Sequence, residues 1–104
     1  MEITVKNDNP MLKQLLTSEL PTGVEIVHHP QIERRDFNFA ANFNFDIKLT
    51  VDLSLIPASV FATWLISKSR SVEGNRTIQI ESKEIPVDKP DAIELVTKEI
   101  ENKK

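Results

Sequence analysis

The chain has 104 residues, of which 39% are hydrophobic and 28% charged, with thirteen Lys+Arg against sixteen Asp+Glu for a formal charge of −3. A chain of this size makes one domain that buries roughly 60–70% of the surface its unfolded form exposes, so a core needs no staples. The absence of cysteine excludes disulfides, thiolate metal sites and a cysteine nucleophile, and two histidines leave little for a zinc site.

Neither glycine has a glycine neighbour with which to build a phosphate-cradling loop. The N-terminus shows no basic segment leading into an apolar one, so no signal peptide is expected. The longest mostly apolar run, 55–66, is interrupted by Pro57, Ser59 and Thr63 and falls well short of the ~20 residues of a spanning helix. The expectation is a soluble, cytoplasmic protein forming a single domain over 1–104, with 100–104 as a frayed tail.

Residues 2–6 alternate and predict a first strand with Ile3 and Val5 inward. Asp8-Asn9-Pro10 then offers a cap followed by proline at the first helical position, and Met11, Leu12, Leu15, Leu16 and Leu20 carry helical spacing over about 10–20. Pro21-Thr22-Gly23 stops that helix. A second strand begins at 24–27 and meets His28-His29-Pro30, where proline removes a ladder donor; the strand pattern resumes over 32–39.

Residues 37–55 hold the strongest pattern in the chain: every odd position is apolar and every even position but Ala40 is polar. As one strand, nineteen residues would run roughly 60 Å, several times the usual length. A hairpin turning at Ala40-Ala41-Asn42 is preferred to one long bent strand. Its three-residue loop pairs Phe39 with Phe43 and Phe37 with Phe45 on a single face.

A second helix is predicted over about 57–69 with Val60, Phe61, Trp64 and Leu65 as its apolar stripe, then a polar loop over 67–75. A strand over 76–85 follows, with Ile78 and Ile80 inward. Asp88-Lys89-Pro90-Asp91 opens a third helix whose inner face is Ile93, Val96 and Ile100.

The order β-α-β-β-(β)-α-β-α predicts an α+β two-layer sandwich. Three amphipathic helices cover one face of a mostly antiparallel, four- to five-stranded sheet and leave the other face wet. The nearest named layout is the ferredoxin-like, or split βαβ, arrangement.

Ile3-Thr-Val-Lys-Asn7 and Arg35-Asp-Phe-Asn-Phe39 bear a partial resemblance to the two strand motifs of RNA-recognition domains, whose aromatic rings stack on bases. Thr4 is not aromatic, Asp36 stands where that family has glycine, and Asn38 where it has a small residue. Exposed rings would also turn Asp36, Asn38, Asn42, Asn44 and Asp46 into the core, at about 1–3 kcal/mol for each unpaired group. The phenylalanines are therefore assigned to the core.

Three features remain as candidate sites. The polar side of the ribbon, with Asp36, Asn38, Asn44, Asp46 and Lys48, could face a partner. Lys68, Arg70 and Arg76 form the one local concentration of positive charge. His28, His29 and Glu33 could assemble a metal or acid–base site, although adjacent strand residues point to opposite faces. With no catalytic constellation evident, the function expected is a small, non-catalytic protein-interaction or accessory domain acting through a sheet edge or its polar face. It is expected to pair as a homodimer, because residues 43–55 outrun any strand partner. A nucleic-acid-associated protein using 68–76, and a metal- or acid–base-assisted enzyme at His28 and His29, are the alternatives. No cofactor, metal or membrane partner is expected, and the charge balance weighs against nucleic acid.

Overall fold

The computed structural model describes residues 1–27 and 45–103. These residues form β1 (Glu2–Asn7), α1 (Met11–Ser18), β2 (Val24–Val27), β3 (Ile47–Val51), α2 (Ala58–Arg70), β4 (Arg76–Ile80), β5 (Lys83–Pro86) and α3 (Ala92–Asn102). The expected hairpin at Ala40-Ala41-Asn42, the strand pattern over 32–39, His28, His29, Glu33, Asp36, Asn38 and Asn44 lie outside the described residues.

The five strands pair antiparallel in the order β2-β3-β1-β4-β5. The unit β1-α1-β2 brackets β3, and β3-α2-β4 brackets β1, which is the split βαβ layout the sequence predicts. β5 is added beyond β4.

Strand alternation builds the core in rows. Ile47, Val5, Ile78 and Ile85 lie side by side across β3, β1, β4 and β5, and Ile26, Leu49 and Ile3 form the next row; all are buried. Leu12 and Leu16 of α1, Phe61, Leu65 and Ile66 of α2, and Val96 and Ile100 of α3 cover those rows. Each fully buried aliphatic side chain contributes about 1.5–3 kcal/mol of transfer free energy. The opposite sheet face carries Glu2, Thr4, Lys6, Lys48, Thr50 and Gln79, none of them buried.

All three helices start after a proline, as expected. Asn9 Oδ1 accepts from the Met11 N–H at 2.9 Å, so the missing N–H of Pro10 is one the first turn does not use. The Pro57 carbonyl accepts from Val60 and Phe61 at 3.1 and 3.0 Å. Lys89, just before Pro90, accepts from Ala92 at 3.1 Å.

Four boundaries differ from expectation. The strand predicted over 76–85 is a hairpin, with Ile80 paired to Lys83 around Glu81 and Ser82, and Glu81 takes a positive φ of 56°. β3 stops at Val51, because Asp52 Oδ1 accepts from the Ser54 N–H and hydroxyl at 3.0 and 2.6 Å and folds the chain into an Asx turn. α2 continues through Arg70, so residues 67–70 are helix rather than loop, and its buried side includes Ala62 and Ile66 while Val60 is 51% exposed. Finally, α3 keeps its helix to Asn102 with Ile100 buried, so the frayed tail expected over 100–104 starts too early.

One of these differences removes an argument for self-pairing. β3 is five residues long and has β1 on one side and β2 on the other, so no strand overhang is left from 47 onward to recruit a second copy.

Candidate functional site

The sheet face opposite the described helices forms a groove of ≈ 1020 Å³, floored by β1, β3 and β4 and bounded at one end by Glu81 and Lys103. Its central row runs Val27, Lys48, Thr4, Gln79, Glu84 across all five strands. The row on one side is Glu25, Thr50, Glu2; on the other Lys6 lies beside Thr77.

Some of these charges answer each other. Lys6 Nζ reaches across β4 to Glu84 Oε2 at 3.3 Å. Lys103 Nζ meets Glu81 at 3.2 Å and Glu99 at 3.5 Å, which holds its ammonium above the ordinary lysine pKa, with Glu81 the larger cause. The Ser54 hydroxyl and N–H hold the Asp52 carboxyl below the usual aspartate value. Asp46 and Lys48, by contrast, have no ion pair or side-chain hydrogen bond among the described residues.

The predicted site residues therefore separate. Asp46 and Lys48 are together on the groove, whereas Lys68, Arg70 and Arg76 belong to the helical layer and its seam with the sheet. Lys68 pairs with Glu19 of the α1 C-cap and holds that carboxyl below its ordinary pKa. Arg70 donates from Nε to the Val87 carbonyl and from Nη2 to that of Lys89, both at 2.8 Å.

Arg76 is more deeply committed, its side chain only 8% exposed. Its Nε donates to Gly74 O, its Nη1 to the carbonyls of Ser69 and Val72, and its Nη2 to both oxygens of Asp88. Those five bonds match the five N–H donors of a guanidinium, leaving none for a phosphate. Arg76 thus ties the α2 terminus to the segment that leads into α3. Parity gives the sequence signal for this role, since 76 shares its strand face with buried Ile78 and Ile80.

A second network has no counterpart in the period-two and period-3.6 patterns of the sequence. Asn7 Nδ2 donates to Phe45 O at 2.6 Å and its Oδ1 accepts from the Asn9 N–H at 2.8 Å, while Asp8 Oδ1 accepts from the Asn75 N–H at 3.0 Å. It clamps the β1–α1 connection to the loop before β4 and leaves no convergent reactive pair. Among the described residues, no group of three or more His, Asp or Glu side chains could hold a metal ion, and no helix is long and apolar enough to cross a membrane.

No family model, curated protein or solved structure matches the chain.

Proposed function

We propose that the chain is a non-catalytic interaction domain that presents the polar face of its sheet, opposite the described helices, to another protein. The observation that carries this reading is the contrast within the groove: Lys6 and Lys103 have carboxylate partners, while Asp46 and Lys48 beside them have none among the described residues. Charges left without internal partners on a concave surface add little to the fold and can set register and specificity for a second surface. Thr4 and Gln79 lie between the charged positions; the Thr4 hydroxyl and the Gln79 carboxamide oxygen, whose Nε2 donates to the Glu81 carbonyl, offer polar groups suited to hydrogen bonds.

The test compares the wild type with Thr4→Arg and Lys48→Glu, both on the exposed side of paired strands, after circular dichroism shows all three folded. Proteins retained from the native host by the wild type should be lost by both variants. An unaltered set of retained proteins would sink the proposal. Light scattering at micromolar concentration decides whether a second copy is among the partners, since a mass near 11.8 kDa removes that option.

A further inference from the structure

Sheet registers fix which backbone groups of β5 face outward. Val87 donates its N–H to Arg76 O at 3.1 Å, and the pairs Ile78 with Ile85 and Ile80 with Lys83 continue the same alternation. Residues 83, 85 and 87 therefore turn their amides toward β4, and 84 and 86 turn theirs away. Position 86 is proline and has no N–H, so the outer edge of β5 presents one strand donor, that of Glu84.

A second observation points the same way. Lys83 lies opposite Ile80, which is buried, so an ammonium-bearing side chain stands at the edge on the side of the sheet that the helices cover. A strand laid beside β5 would have to set its own core-side residue against that charge. On the other face the Glu84 carboxylate is held inward by Lys6.

We infer that β5 is a closed edge, built to refuse a further strand from a second copy or from an extended peptide. This is independent of the groove, and it confines any binding by strand addition to other parts of the molecule.

The experiment uses the full chain with Pro86→Thr, and with Pro86→Thr combined with Lys83→Val, which restore the donor and the apolar alternation. Amide hydrogen exchange at Glu84 in the wild type should be fast and unchanged from micromolar to submillimolar concentration. The double variant should gain about a twofold rise in mean mass with concentration, as for pairing of two copies, together with slowed exchange at Glu84. Pro86→Thr alone should show a smaller rise. Concentration-dependent protection of Glu84 in the wild type overturns the inference, as does a double variant that folds and matches the wild type in mass and exchange. Should the double variant fail to fold, the wild-type exchange and the single variant decide the matter. Loss of the groove reading would leave all these outcomes unmoved, because no groove variant enters them.

Discussion

Arg76 sits in register with buried Asn7 and turns its guanidinium under the end of α2, where it meets the carbonyls of Ser69 and Val72 and the Asp88 carboxylate. Replacing it by alanine leaves the Ser69 and Val72 carbonyls without that donor, while the Asp88 carboxylate, 71% exposed, returns to water. Arg76→Ala should lower the unfolding free energy by about 1–3 kcal/mol in urea titration. Arg76→Lys should recover only part, because an ammonium cannot reproduce the planar fork. Ser69, fully buried near the end of α2, makes the opposite case: its hydroxyl has no hydrogen-bond partner among the described residues. Ser69→Ala should therefore be neutral or stabilise by up to about 1 kcal/mol, and a loss above about 1 kcal/mol would show that the hydroxyl is satisfied after all. Glu81 holds a left-handed backbone without being glycine. Glu81→Gly should raise stability by up to about 1 kcal/mol near neutral pH, because relief of the left-handed backbone outweighs the small contribution of the largely exposed ion pair it gives up with Lys103.

At the level of elements, helices were legible and turns were not. Each helix announces itself through a proline at its start and an apolar face of period 3.6, signals that lie within a single segment. The β4–β5 turn passes through Glu81-Ser82, which has none of the glycine or asparagine such turns favour, so 76–85 reads as one strand. Alternation likewise runs on through Ser54 and Leu55, while the structure turns at Asp52 because its carboxylate captures the Ser54 amide. A period of two cannot register a side chain that bonds its own backbone. Gly74 offers a clean test of the loop before β4. Its φ is 110°, and a methyl group there would sit 2.2 Å from Asp8 Oδ1. Gly74→Ala should cost about 1–3 kcal/mol, measured by the thermal midpoint, and should free the Asn75 amide to exchange.

The whole molecule divides its charges between two jobs that composition cannot separate. Strand parity alone puts Lys48 and Asp46 on the polar side of the ribbon, and both are exposed on the groove. Arg70 and Arg76 form a basic cluster in the sequence, yet a count of charges does not reveal which ones are folded against carbonyls. Acid and base should each weaken the fold through identified groups. Glu19 and Asp52 are held below their ordinary values of 4.5 and 3.8, so what they contribute is complete above those values and is lost as pH falls through their lower folded-state values. Lys103 is held above 10.5; its contribution is complete below that pH and is lost as pH rises through the higher folded-state value. The urea midpoint should fall at both extremes. Glu19→Gln should flatten the acid limb and Lys103→Met the alkaline one, with unchanged limbs counting against these assignments.

Trp64 donates its indole Nε1 to the Glu19 carbonyl at 3.1 Å, and its ring lies 6.0 Å from that of Phe61. With one tryptophan and no tyrosine in the chain, ultraviolet-excited emission comes from this single seam between α1 and α2. The molecule thus carries its own optical reporter on the helical layer, on the opposite side of the sheet from the groove. Binding there should leave the emission maximum in place, and parting of the two helices should shift it to the red.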